Sequence, residues 1–221
     1  MLKVESSKKR STLNIQPMAP AEHTLLSIFL KAPRVGEVKT RLAVALGAEG
    51  ACEAYRILVG QLLRQLAPIP NVELRLTPDE AAAEISMWLR EGWETRPQGA
   101  GDLGVRLKRA FAEAFARGCK RVVVIGSDCP YVQPADVIAA WAALEETDVV
   151  LGPACDGGYW LLGLRAECSA LFAGIRWSTS QVLEETLARC RAGGWSVTQL
   201  RELRDIDEVE DWHAFRLNAE S

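Results

Sequence analysis

At 221 residues and 48% hydrophobic content, the chain holds material for one full core and hardly for two. A formal net charge of -3, with acids and bases interspersed, gives no broad basic face to follow a nucleic acid backbone, so no nucleic acid partner is expected. No apolar run reaches the roughly 18 residues of a membrane helix, and the first 24 residues lack the apolar stretch of a secretion signal, so the expectation is a cytoplasmic protein with no membrane partner.

Cys52, Cys119, Cys129, Cys155, Cys168 and Cys190 show no C-x-x-C spacing and read as reduced thiols, most of them buried as small hydrophobes. The two histidines, His23 and His213, stand near opposite ends of the sequence and supply neither a zinc motif nor a histidine-based triad. Chemistry therefore falls to carboxylates, cations and backbone amides.

Residues 1–23 read as a disordered tail, followed by one domain over 24–221. The first strand is expected over 25–30. The loop after it carries Lys31, Arg34, Gly36, Lys39 and Arg41 and runs into a helix start. Four cations beside helix-terminal amides suit a phosphate-bearing guest, because Arg grips phosphate through two parallel hydrogen bonds. A solvated charged turn is the other reading. One or two helices follow over 38–66, then a strand over 72–76. The capping-box spacing of Thr77-Pro78-Asp79-Glu80 next predicts a helix to about residue 90.

Gly99-Ala100-Gly101-Asp102-Leu103-Gly104 fits the G-x-G-x-x-G spacing of a dinucleotide fingerprint. The segment before it, 93–98, is too charged for the buried central strand that fingerprint needs, so an NAD-binding oxidoreductase ranks low and a glycine loop permitting close helix docking ranks above it. A helix over 103–117 stops at Gly118 and leads to an apolar strand over 122–125 and the loop Gly126-Ser127-Asp128-Cys129-Pro130. A carboxylate held at the mouth of a buried strand suits Mg²⁺, which takes one or two carboxylates and fills its shell with water and phosphate oxygens. Capping of the turn is the alternative role for Asp128.

A helix over 134–144 precedes strands over 149–151 and 159–164. Between those strands, Gly157 and Gly158 would let a ligand approach the backbone, with Tyr159 and Trp160 as pocket walls. A hairpin turn explains the Asp156-Gly157 pair equally well. Asp156 is a candidate acceptor-side base or second metal ligand, and Trp177 a further wall. A helix over 180–191 ends at Gly193-Gly194, and a strand over 195–200 closes the pattern. Beyond it, Asp205 and Asp207 have the i, i+2 spacing that points two side chains of an extended segment the same way. Two such acids bind a cation or repel each other, unless they merely form an acidic helix start.

Strand and helix alternate throughout. The pattern predicts an α/β fold, a three-layer α/β/α sandwich with a mostly parallel, mixed sheet and ligands at the carboxyl ends of its strands.

KAPRVGEVKTRL, QGAGDLGVRL, VVVIGSDCP, GPACDGGYWLLGL, IRWSTSQVLEET and LRDIDEVEDW follow one another between residues 25 and 215. In that order they resemble the signatures of a bacterial GT-A-type glycosyltransferase-like family within the nucleotide-diphospho-sugar transferase superfamily, linked with radical-SAM enzymes and arsenosugar biosynthesis. The resemblance implies a fold similar to the molybdenum-cofactor and phospholactate guanylyltransferases. It implies metal binding by Asp128, completed by Asp205 and Asp207, phosphate contacts from Lys31, Lys39 and Arg41, and a nucleotide near Gln98, Asp102 and Arg106. Val35 stands where that family commonly has proline before the glycine.

The expected activity is Mg²⁺- or Mn²⁺-dependent glycosyl transfer from a nucleotide-diphospho-sugar to a small-molecule acceptor. Asp128, Asp156 and Lys39 would carry catalysis, and Arg34, Gly36, Gly157, Gly158 and Tyr159 would join the nucleotide contacts. Guanylyltransferase-like nucleotidyl transfer, from an NTP to a phosphorylated small molecule with loss of pyrophosphate, is the alternative, because both reactions need nearly the same nucleotide site. Non-catalytic nucleotide binding ranks below both.

Overall fold

A computed structural model describes residues 23–219. The expected disordered tail lies outside the described residues except for His23, whose carbonyl accepts the amide of Lys120 at 2.7 Å. Seven strands form one sheet: β1 (Thr24–Lys31), β2 (Val72–Thr77), β3 (Glu94–Pro97), β4 (Arg121–Gly126), β5 (Val149–Pro153), β6 (Tyr159–Leu164) and β7 (Val197–Gln199). Their spatial order is β3-β2-β1-β4-β6-β5-β7. Every neighbouring pair is parallel except the two that involve β6, which runs against both β4 and β5. The sheet is the mixed, mostly parallel one that the alternation of elements predicts.

Among the described residues, five α-helices accompany it: α1 (Thr40–Gln65), α2 (Leu103–Ala116), α3 (Pro134–Glu146), α4 (Val182–Gly193) and α5 (Val209–Ala219). Successive residues of β1 and β4 alternate between two cores. Leu26, Ile28, Val123 and Ile125 pack with residues of α1 and α3, whereas Leu25, Phe29, Val122 and Val124 pack with residues of α2. Cover on both faces is why these strands read as continuous apolar runs. The kink in α1 falls at Gly47, whose φ of 73° and ψ of 166° leave the helical region.

Two elements differ from expectation. The segment 94–97 is a strand despite its charge, because it pairs only with β2 and ends the sheet, where charged side chains reach solvent. Residues 78–90 do not form an α-helix. Ala81–Trp88 is a 3₁₀ helix, and Asp79, expected in the first helical turn, instead accepts the Gly99 amide at 2.9 Å and ties this segment to the loop before α2.

The chain leaves β1 toward β2 and β3 on one side, and β4 leads toward β5, β6 and β7 on the other. The carboxyl ends of β1 and β4 therefore flank the switch point at which open α/β sheets form a crevice. The C-terminal segment returns to this point. The Arg201 guanidinium pairs with both oxygens of Asp136 at 2.7 Å, at the start of α3. The Leu203 amide bonds the Pro153 carbonyl at 3.1 Å, and the Ile206 amide bonds the Asp128 carbonyl at 3.0 Å. Ile206 is fully buried between α1 and α5, beside Leu42, Leu58, Trp212 and Phe215.

Ile206 thus fixes both the height and the facing of its two acidic neighbours. Ile206→Ala should lower unfolding free energy by about 2–4 kcal/mol, the usual cost of emptying a buried aliphatic site. Urea denaturation followed by circular dichroism measures it, and a loss under about 0.5 kcal/mol would show that this residue is no anchor.

Candidate functional site

The crevice between β1 and β4 is a cleft of about 820 Å³, within the range of small-molecule sites. Its centre is the Lys39 side chain, only 3% exposed, whose Nζ lies 2.5 Å from Asp128 Oδ1 and 2.9 Å from Asp207 Oδ1. Lys39 reaches this position from a left-handed backbone, φ 48° and ψ 46°, immediately before α1. A side chain with a Cβ occupies that region at a cost, and such strain persists where surrounding contacts impose it. Burial pulls the Lys39 ammonium toward its neutral form, but Asp128 and Asp207 outweigh it and the net shift favours the charged form.

Asp128 follows directly from the end of β4, and its side chain remains 50% exposed. Asp205 and Asp207 flank the buried Ile206 and line the same cleft. Arg41 stands 3.8 Å from Asp207 Oδ2 at the rim. Burial first, then the negative charges of Asp128, Asp156 and Asp207, push the Asp205 carboxyl up to about 7, with Lys39 offsetting part of the rise. Asp128 and Asp207 thus share one buried ammonium with Asp205 alongside, and these three carboxylates leave the centre with an excess of negative charge.

The floor is built by Tyr55 of α1. Its hydroxyl accepts the Lys31 amide at 2.9 Å and lies 3.2 Å from Ser127 Oγ, tying the end of β1 to the loop after β4. Burial raises this phenol well above its ordinary range, so it serves as a neutral hydrogen-bonding post. On the β2 side, the Gln98 amide nitrogen donates to the carbonyls of Leu30 and Arg75, both at 3.0 Å, and its oxygen accepts Arg106 Nη1 at 3.2 Å. Arg106 also donates to the Gly101 carbonyl at 2.8 Å. Gln98 therefore acts as a strut, and Arg106 is the group it presents.

Lys31, Lys39, Arg41, Gln98, Asp102, Arg106, Asp128, Tyr159, Trp160, Asp205 and Asp207 all line the cleft. Six predicted residues do not, among them Trp177, whose indole packs against Gly104 of α2. Arg34 is turned away to Glu84, with bonds of 2.7 and 3.0 Å, and to Glu80 at 3.6 Å, and neighbouring Gly36 follows that outward turn. Asp156 accepts the Gly158 amide at 2.8 Å within the β5–β6 hairpin, so Asp156, Gly157 and Gly158 form the turn that the Asp-Gly pair also allowed. Asp102 borders the cleft, yet its carboxylate caps α2 by accepting the Val105 amide at 2.9 Å. In the glycine fingerprint, Gly104 gives room to a ring: a Cβ there would lie 2.3 Å from the Trp177 indole nitrogen.

Among the described residues, no three acidic, cysteine or histidine side chains stand in a geometry that could hold a metal ion. Asp128, Asp205 and Asp207 nevertheless supply the hard oxygen donors that Mg²⁺ and Mn²⁺ take. By the chemistry of its donors, though not by their present spacing, this set suits a divalent cation, with Lys39 standing between Asp128 and Asp207. Tyr55, Thr77 and Ser178 also line the site without having been expected there: Tyr55 is one apolar-face residue of a long helix, Thr77 reads as a helix cap, and Ser178 lies within IRWSTSQVLEET with no role attached to it.

The family model described as "Uncharacterized protein conserved in bacteria (DUF2064)" matches residues 62–179. No curated protein matches the chain. A candidate nucleotide-diphospho-sugar transferase from Desulfovibrio desulfuricans G20 shares 34% identity over 90% of this chain and 89% of its own, with a TM-score of 0.83. The 4-diphosphocytidyl-2C-methyl-D-erythritol synthase of Anaerococcus prevotii shares the fold at 11% identity and a TM-score of 0.60, covering 90% of this chain and all of its own. Rv0371C of Mycobacterium tuberculosis H37Rv, in complex with manganese, does so at 16% identity and 0.51, covering 86% and 96%.

Because the Asp205 carboxyl holds its proton more tightly when folded, the metal-free protein loses stability as pH rises from about 4 to about 7, and the loss is complete above that. Asp205→Asn should therefore melt higher than the wild type at pH 8, by roughly 2–4 °C, and match it below pH 4. Calorimetry in a chelator measures both, and a variant that melts lower at pH 8 would contradict the charge excess.

Proposed function

We propose that this chain, which belongs to the bacterial family DUF2064, is a transferase that takes a glycosyl group from a nucleotide-diphospho-sugar in the presence of Mg²⁺ or Mn²⁺. The observation that carries this reading is the convergence of Asp128, Asp205 and Asp207 with Lys39, Lys31 and Arg41 in one cleft at the switch point of the sheet. Carboxylates beside cations at the end of a parallel strand suit a metal-bound diphosphate. Either group alone would suit only half of that ligand.

In such a transfer, the bond between the anomeric carbon and the diphosphate oxygen breaks, an acceptor oxygen bonds to that carbon, and the acceptor proton passes to a base. Negative charge grows on the departing diphosphate. Asp128, Asp205 and Asp207 would hold a divalent ion there, which would supply Lewis-acid stabilisation of that charge. Lys39 and Arg41 add fixed positive charge beside it, and Lys31 and Arg106 hold the nucleotide from the β1 and β2 side. Asp156, the candidate acceptor-side base, accepts the Gly158 amide in the hairpin turn and can act as base only where that turn releases its carboxylate.

Nucleotidyl transfer is the second reading, supported by the fold shared with the diphosphocytidyl-methylerythritol synthase. Glycosyl transfer is preferred because the 34%-identical neighbour carries the nucleotide-diphospho-sugar description.

Thermal unfolding in the presence of UDP-, GDP-, ADP- and CDP-sugars, or the matching NTPs, separates the two, since a ligand bound only to the folded state raises the midpoint. At least one nucleotide-sugar should protect in Mn²⁺ and not in chelator. Asp128→Asn should remove that protection while leaving the ligand-free midpoint within about 3 °C. Protection by NTPs alone, with pyrophosphate release, would favour the second reading. Undiminished Mn²⁺-dependent protection in the variant would take Asp128 out of the site.

A further inference from the structure

The cleft has two chemically distinct halves. All four cations that line it, Lys31, Lys39, Arg41 and Arg106, come from the loop after β1, the start of α1 and the side of α2 that bonds Gln98 and Thr77. The other half lies over β6. It is lined by Leu103, Leu107, Tyr159, Leu162 and Ser178, among which there is no Lys, Arg or His. A phosphate ester seated there would meet apolar carbon and one hydroxyl and would lose its hydration without a compensating charge.

The segment 175–181, which leads into α4, exists in its present place only through several close contacts. The Trp177 indole lies against Gly104 of α2, where no Cβ fits. The Ser180 carbonyl lies against Gly157 of the hairpin, where a Cβ would approach to 2.1 Å, and the Leu183 amide bonds the Gly157 carbonyl at 3.0 Å. Glu185 holds both the backbone amide of Arg176, at 2.7 Å, and its guanidinium, at 2.5 Å. Between these anchors Ser178 has a φ of 64°, and its hydroxyl takes no partner among the described residues. A left-handed serine, clamped from α2, the hairpin and α4 and bordering a ligand cleft, matches the association of backbone strain with binding.

We propose that Ser178 is a specificity-determining residue that hydrogen-bonds the acceptor, and that the acceptor half takes a neutral, hydroxyl-bearing molecule with an apolar face, not a phosphate ester. This rests on the two-substrate reading of the cleft given above. Tyr159, Leu103 and Leu107 provide the apolar wall on which the carbon skeleton lies, and Ser178 Oγ addresses one hydroxyl. Trp177 is the positioning residue behind Ser178, seated by Gly104.

Saturation-transfer NMR of the full chain, without nucleotide or metal and with excess inorganic pyrophosphate occupying the cationic half, tests the inference with phenyl β-D-glucopyranoside and its 6-phosphate as paired probes. The neutral probe should receive saturation and bind at least about three-fold more tightly than the phosphate, and Ser178→Gly should weaken it about three- to ten-fold, the scale of one hydrogen bond. Glycine accepts the left-handed backbone, so this variant should melt no lower than the wild type, which separates loss of the hydroxyl from loss of structure. Gly104→Ala, which displaces Trp177, should weaken the same probe, and the Mn²⁺-dependent nucleotide protection should survive in Ser178→Gly. Equal or tighter binding of the phosphate, no binding of either probe, or an unaffected neutral probe in Ser178→Gly would each overturn the proposal. Failure of nucleotide protection in the wild type would count against the transferase reading instead, because the probe comparison is made without nucleotide.

Discussion

The site is organised around one ion cluster: the ammonium of Lys39 held between Asp128 and Asp207, with Asp205 alongside. Three stretches of sequence meet there, separated by about ninety residues and again by about eighty. Burial first, then the neighbouring carboxylates, raise the Asp205 carboxyl to about 7; Lys39 offsets only part of that rise, and an excess of negative charge remains. A divalent ion would relieve that excess, and Lys39 would then be free to face a phosphate.

Each participant is held by structure that has little to do with charge. Asp128 is fixed by the end of a strand buried on both faces, and Lys39 by a left-handed turn ahead of α1. Asp205 and Asp207 depend on Ile206, whose side chain fills the α1–α5 core while its amide bonds the Asp128 carbonyl. Arg201, clamped on Asp136, brings the C-terminal segment to that point. Mutual repulsion among the carboxylates is offset by apolar packing and backbone hydrogen bonds outside the cleft, which allows a polar centre to be rigid.

Much of this was legible in the amino-acid order, because the strands beside the switch point are apolar on both faces and the loops after them carry the charge. The run Arg121–Gly126 announces a central strand, which made Asp128 a loop residue at its carboxyl end. The i, i+2 spacing of Asp205 and Asp207 gave their common facing, though not the buried isoleucine that enforces it. What sequence could not supply was the competition for each polar group. Arg34 has the composition of a phosphate ligand, but Glu84, fifty residues away, claims it. Gln98 and Asp102 lie in the right segment, yet their side chains are spent on backbone amides and carbonyls. The strand over 94–97 was obscured because an edge position tolerates charge that a central strand would not. Ser178 was hidden for a related reason: its φ, and the two glycines that make room for its neighbours, depend on contacts across the fold.

The most direct measurement of the central claim is a crystal structure with Mn²⁺ and a nucleoside diphosphate, with the metal located by its anomalous scattering. The account predicts one Mn²⁺ coordinated by oxygens of Asp128, Asp205 and Asp207, with Lys39 withdrawn from the acids and directed at the diphosphate. Manganese bound elsewhere, or a diphosphate seated while Lys39 keeps both of its ion pairs, would contradict it.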